Sequence, residues 1–241
     1  ADTVHVKSDQ AEFRDYFRKW FVGILPALLD DTVVNHEILV LIGEQGLYKT
    51  TWFNFLLPPE LRCYFYTKTN SDRLNKDDLF SLTEFALICF EELDGMRPAE
   101  LNQLKAMVTM PYVNERAAYG RNKERHPHIA SFCGTGNNVQ FLTDPTGNRR
   151  WLPFEVSQIR DPHLHAIPYE LVYSQAYALW KSGFCHWFSQ EEIRKLNMHN
   201  SRFEAPNLEE DLIRTHFRKP FEGEAGIFVT AADILEQISS C

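Results

Sequence analysis

Gly43-Glu44-Gln45-Gly46-Leu47-Tyr48-Lys49-Thr50 is the stretch that decides the fold, because of what stands on either side of it. Before it runs Glu37-Ile-Leu-Val-Leu-Ile42, a short continuous apolar segment that reads as a strand buried on both faces. After it, Lys49 to Leu57 reads as a helix stopped by Pro58-Pro59. A glycine-rich loop between a buried strand and a helix lets backbone N–H groups converge on phosphate oxygens. In such a loop Lys49 reaches the terminal phosphates and the Thr50 hydroxyl ligates Mg²⁺, with Thr51 following in the first helical turn. The usual spacing has Gly directly before the Lys, where this chain has Tyr48. A side chain there restricts the backbone.

Outward from the loop the pattern alternates. Residues 11–29 carry Phe13, Tyr16, Phe17, Trp20, Phe21, Ile24, Leu25, Leu28 and Leu29 at helical spacing, a core-facing amphipathic helix with a kink expected at Pro26. Phe85 to Phe90 and Ile129 to Cys133 read as two further buried strands, and a helix follows Pro98 with Leu101, Leu104 and Val108 in phase. Strands alternating with helices predict an α/β sheet with helices on both sides. Tyr169 to Lys181 is helical, and its stripe of Tyr173, Tyr177 and Trp180 reads as core packing. Ser189-Gln-Glu-Glu192 is a capping box that opens another helix. Beyond Pro206, a helix over Leu208 to Phe217, an Ile227-Phe-Val strand and a helix capped at Thr230 read as the start of a small separate domain. The expected division is 1–157, 158–205 and 206–241.

Composition bounds the function. The chain has 241 residues, 44% hydrophobic and 24% charged, an ordinary globular balance that excludes disorder or a coiled coil for the whole. A formal charge of -8 excludes a generally polycationic nucleic-acid binder, so any such contact comes from a local patch. No apolar run has the length of a membrane helix. The five cysteines are scattered, with no C-x-x-C pair, which fits a reducing, cytoplasmic setting rather than a disulfide scaffold or zinc site. The absence of an initial Met and the abrupt end read as a segment of a longer protein.

Three further constellations bear chemistry. The strand ending at Phe90 leads into Glu91-Glu92, two carboxylates where a neighbouring strand would serve the metal and polarise a water. The alternative is a solvated turn at Asp94-Gly95. Asn137 follows the third strand, where an amide would orient that water or simply end a turn. Between Tyr112 and Arg150 six basic residues face three acids. Of these, Arg116, Arg121, Lys123 and Arg125 with interleaved Tyr112 and Tyr119 could follow a phosphate backbone, or form a solvated hairpin. Arg149-Arg150 would stabilise charge on a phosphoryl group of a neighbouring chain, or anchor their own turn by an ion pair.

Taken in order, Gly43-x-x-Gly46-x-x-Lys49-Thr50, Glu92-Leu-Asp94, Arg116-x-x-Tyr119-Gly-Arg121, Phe132-x-Gly134-Thr-x-Asn137 and Phe141-Leu-x-Asp144-x-Thr-Gly-Asn-Arg149-Arg150-x-x-Pro153 resemble the virulence-associated protein E (VirE-like) family over about residues 12–200. The resemblance implies a P-loop NTPase of the AAA+, superfamily-three helicase kind, with a three-layer sheet core and a helical C-terminal extension. It implies ATP and Mg²⁺ as ligands, single-stranded or forked DNA as partner, a homo-oligomeric ring such as a hexamer, and a neighbouring primase module. It makes Gly43 to Thr51 the nucleotide loop, Thr50 and Glu91 metal ligands, Glu91 or Glu92 the base, Asn137 the γ-phosphate sensor, Arg149 or Arg150 the finger acting in trans, and Arg116 to His126 the DNA hairpin. The tail resembles the winged-helix-like piece of Bacteroides-type relatives. The function expected is an ATP-hydrolysing motor of a phage or mobile-element helicase. The alternatives are a nucleotide-gated DNA-binding module with little hydrolysis and a P-loop kinase of a small molecule.

Overall fold

A computed structural model describes residues 1–69, 76–115, 124–143, 148–206, 208–221 and 223–239. The strands are β1 (Val4–Val6), β2 (Ile38–Ile42), β3 (Phe65–Lys68), β4 (Leu87–Phe90), β5 (Tyr112–Glu115), β6 (Glu124–Pro127), β7 (Ser131–Gly136) and β8 (Trp151–Ile159). The α-helices are α1 (Gln10–Leu29), α2 (Lys49–Asn54), α3 (Lys76–Glu84), α4 (Pro98–Val108), α5 (Tyr169–Lys181), α6 (Gln190–Asn200), α7 (Leu208–His216) and α8 (Ala231–Ser239).

Six strands form one sheet in the order β1-β8-β2-β7-β4-β3. All neighbours are parallel except β1, which runs antiparallel along the outer edge of β8. The five residues of β2 are all fully buried, as expected of a central strand with parallel partners on both sides. Their side chains alternate between two cores. Leu39 and Leu41 pack with Phe13, Trp20, Trp52 and Phe53 of α1 and α2. Ile38, Val40 and Ile42 pack with Leu82, Leu101, Leu104 and Val108 of α3 and α4. Helices therefore cover both faces.

Helix α1 starts where Asp9 accepts the N–H of Ala11 at 2.8 Å, and continues through Pro26 to Leu29. Its Trp20 indole donates to the Phe132 carbonyl at 2.8 Å, so the helix is fastened to β7 by a polar bond inside an apolar face.

The structure departs from the sequence expectation in several places. Helix α2 ends at Asn54 instead of Leu57, because Leu56 and Leu57 fold back onto the carbonyls of Phe53 and Asn54 ahead of Pro58. Strand β7 begins two residues later than expected and runs on through Gly134-Thr-Gly136, beyond the expected end at Cys133. Those glycines are there for space. A Cβ at Gly134 would stand 2.2 Å from Leu93 Cδ1, and one at Gly136 would stand 3.0 Å from Asp94 Oδ1. The segment after Arg150 is the long strand β8, in spite of Pro153 in its middle. On α5, Tyr173 and Trp180 pack against the core but Tyr177 is exposed, so the aromatic stripe is not wholly core. Leu29, expected on the buried face of α1, is exposed because it is the last residue of the helix, past the end of the packed face.

Contacts divide the chain into Ala1–Glu204 and Ala205–Cys241. In the second unit Thr230 and Asp233 cap α8 reciprocally, with Thr230 N–H donating to Asp233 Oδ2 at 2.7 Å. No strand forms over Ile227-Phe-Val among the described residues; Ile227 and Phe228 are 90% and 91% exposed. A lone strand has no ladder to satisfy its backbone.

Candidate functional site

The parallel register determines which loops meet. Ile42 pairs with Gly136, and Phe90 pairs with Gly134, so β2, β7 and β4 end at the same edge of the sheet. From that edge emerge the glycine loop after β2, Asn137 after β7 and Glu91-Glu92 after β4. The acidic strand is not the immediate neighbour of the loop strand, as the sequence reading had it, because β7 lies between them. Asn137 consequently stands between the loop and the acids.

These elements enclose a cavity of about 420 Å³, lined by residues 45–51 with Glu91, Glu92, Thr135 and Asn137. That volume falls in the roughly 300–1,000 Å³ range of small-molecule sites. Gly43 and Glu44 do not line it; they hold the lysine. Lys49 Nζ donates to Gly43 O at 2.6 Å, Glu44 O at 2.8 Å and Asn137 Oδ1 at 3.3 Å. Three neutral acceptors thus take the three ammonium donors. Burial pushes the Lys49 pKa down, and the Asp94 charge acts against that shift.

Two residues with side chains adopt left-handed backbone at the cavity. Tyr48 has φ 60 and caps α2, and Glu92 has φ 54 at the turn out of β4. Tyr48 therefore adopts the conformation that a glycine would take without strain. Gly46, at φ 86, has nothing within 4 Å of where a Cβ would be. The backbone N–H groups of Gly46 and Tyr48 have no acceptor among the described residues. Unpaired donors of this kind in a glycine loop suit an anion.

Thr50 and Glu91 are joined. The Thr50 hydroxyl donates to Glu91 Oε1 at 2.7 Å, which separates the two acids: Glu91 is tied to the loop, while exposed Glu92 lines the cavity with no such tie. A hydroxyl beside one carboxylate is a hard-oxygen pair that fits Mg²⁺, which takes one or two carboxylates and completes its shell with phosphate and water.

Asp94 was read as turn chemistry and as part of the Glu92-Leu-Asp94 motif, with no role of its own. Its carboxylate accepts the backbone N–H of Asn137 at 3.1 Å and of Asn138 at 3.0 Å, and so holds the end of β7 against the acidic turn. Nothing local in the sequence marks a bond spanning 43 residues.

Arg149 and Arg150 are elsewhere. They directly precede Trp151, which pairs with Ile38 at the start of β2. They leave the opposite edge of the sheet, roughly 15 Å from the glycine loop at ~3.3 Å per strand residue. With His36, Glu37 and Trp187 they line a second cavity of about 360 Å³. Neither has an ion-pair partner among the described residues, so the alternative of an anchoring salt bridge is not observed.

Strands β5 and β6 form a separate two-stranded antiparallel hairpin. Arg125 stacks its guanidinium 3.4 Å from the Tyr112 ring centroid. Arg116, Arg121 and Lys123, also expected on this hairpin, lie outside the described residues, as does Asp144. No described helix is long and apolar enough to cross a membrane, and the described residues contain no cluster of three or more His, Cys, Asp or Glu able to hold a metal.

Among solved structures, the chain is similar to the apo structure of the NrS-1 C-terminal region (305–718), with TM-score 0.44 and 14% identity over 80% of this chain and 49% of that one. An A-form apo structure of the same region matches with TM-score 0.42 and 13% identity over 80% and 49%, and another with 0.40 and 13% over 89% and 53%. The chain thus spans about half the length of the solved chains it matches. No curated protein matches it. The family model described as the virulence-associated protein E-like domain matches residues 2–205, and the chain belongs to that family.

Proposed function

We propose that this domain is a P-loop ATPase, the motor of a DNA helicase or primase-helicase acting in replication of a phage or mobile element in the cytoplasm. The observation that carries the reading is the convergence of Lys49, Thr50, Glu91, Glu92 and Asn137 on one cavity at the carboxyl edge of a parallel sheet. Ligands of open α/β sheets bind at that edge.

In this reading Lys49 and the loop N–H groups hold the nucleotide phosphates. Thr50 and Glu91 would hold Mg²⁺, which when bound offsets the phosphate charge. Glu92 takes a proton from the attacking water, the water oxygen bonds to the γ-phosphorus, and the bond to the β–γ bridging oxygen breaks, leaving ADP and phosphate. Asn137 orients the water. Lys49 must leave at least one of its present carbonyl acceptors to reach phosphate. Arg149 and Arg150 stand too far from their own cavity to assist there, which supports action on a neighbouring copy in a ring, hexameric in the form we propose. The Arg125–Tyr112 stack supports a hairpin that follows DNA, with a primase module as the further partner.

The test is steady-state phosphate release with and without single-stranded DNA. DNA-stimulated turnover lost in Lys49→Ala supports the motor. One observation favours a second reading, a nucleotide-gated DNA-binding module that hydrolyses little: the Lys49 ammonium is already satisfied by Gly43, Glu44 and Asn137. Nucleotide-dependent DNA affinity without turnover would select it.

A further inference from the structure

Two adjacent guanidiniums repel each other, and burial together with Arg149 pushes the Arg150 pKa down. Among the described residues no ion pair holds either side chain, and the bonds that are present act on the backbone of the turn. Asn200 does this. Its Nδ2 donates to Asn148 O at 2.7 Å and to Trp151 O at 3.0 Å, the carbonyls directly before and after the two arginines. Asn148 Nδ2 in turn donates to Glu204 Oε1 at 2.9 Å.

Asn200 is the last residue of α6 and is fully buried, yet its amide group makes no bond to its own helix. It crosses to a turn about 50 residues earlier in the chain. The preceding His199 fixes the same helix end, lying 2.7 Å from Pro153 O on β8 and 2.9 Å from Glu12 on α1. A single –NH₂ group bridging two carbonyls needs an amide: an aliphatic side chain removes that donor from both, and a carboxylate opposes both.

We infer that Asn200 is the positioning residue of the Arg149–Arg150 turn, setting where both guanidiniums leave the amino edge of the sheet. Its effect on turnover rests on the proposed action of those arginines on a neighbouring copy. The clamp itself does not.

The experiment uses the full chain with Asn200→Asp and Asn200→Ala. Hydrogen exchange by mass spectrometry is read at residues 148–152 and, as control, at 43–54. The clamp predicts exchange about tenfold faster or more at 148–152 and unchanged exchange at 43–54. Turnover should fall about tenfold or more, with KM and nucleotide Kd within about twofold of wild type, because only the neighbour's site loses its arginines. Mixing with Lys49→Ala subunits, which bring intact arginine turns, should restore part of that turnover. Unchanged exchange at 148–152 overturns the proposal. So does wild-type turnover despite faster exchange, a parallel loss of nucleotide affinity that mixing does not rescue, or two variants that both unfold, since these make Asn200 an ordinary core residue. If wild type hydrolyses nothing, the motor reading fails while the exchange result still decides the clamp.

Discussion

Thr50 and Glu91 are 41 residues apart and hydrogen-bonded at 2.7 Å, although the strands that deliver them are separated by β7. The bond distinguishes two adjacent carboxylates that composition cannot tell apart. Glu91→Gln should weaken Mg²⁺-dependent nucleotide affinity by about tenfold, measured by calorimetry with and without the metal. Glu92→Gln should bind nucleotide normally and lower turnover by roughly 10²-fold or more. Equal effects from the two substitutions would refute the division of roles.

Tyr48 holds φ 60 and the residue is 42% exposed. Left-handed backbone costs a residue with a side chain about 1–2 kcal/mol, and glycine's larger unfolded-state entropy recovers about 0.5–1 kcal/mol of it. Tyr48→Gly should therefore leave stability level or raise it by up to about 1.5 kcal/mol. Tyr48→Val should lower it, since β-branching disfavours that conformation further. Urea unfolding of the three proteins measures the order.

Asp94 accepts two backbone N–H groups at the end of β7 and its charge faces Lys49. Asp94→Ala should destabilise the protein by about 1 kcal/mol, a modest loss because water can take over the two exposed N–H groups. It should also lower the Lys49 pKa further, because the charge that opposes the effect of burial is gone. A nitrogen- or carbon-detected NMR titration of the lysine reads that shift; an upward move contradicts the electrostatic account.

Glu37 supplies a pH dependence. Burial pushes its carboxyl up from 4.5 to about 7, against opposing contributions from its own backbone N–H, Lys19 and the His36 backbone. A carboxyl whose folded pKa exceeds its unfolded one binds its proton more tightly when folded. Its contribution to stability is complete below about pH 4.5, declines as pH rises, and is lost above about 7. Relative to Glu37→Gln, wild type should lose on the order of 2–3 kcal/mol between those limits. Parallel stability curves for the two proteins would remove Glu37 as the cause.

What was legible in the chain is what neighbouring residues decide among themselves. The Ser189 capping box, the 3.6-residue stripe of α1 and the buried run of β2 each carry their own signature, because helix periodicity and strand burial act over a few residues. The glycine loop was legible for the same reason: Gly46, Lys49 and Thr50 act through local backbone geometry. Strands β1 and β3 left no comparable trace, being three and four residues long with mostly half-buried side chains. Strand β8 was not read from the sequence, and pairing on both edges builds it around Pro153, a residue without a backbone N–H.

The amino-acid sequence by itself therefore determined the glycine loop between strand and helix, the helix starts and the central strand. Tertiary structure alone decided that β7 enters between β2 and β4, that Glu91 meets Thr50 while Glu92 does not, that Asp94 secures Asn137, and that Arg149 and Arg150 face away from the cavity. The physical reason is range. Strand order and long-range side-chain bonds depend on which surfaces bury together, and that free energy belongs to pairs of distant segments rather than to either one alone.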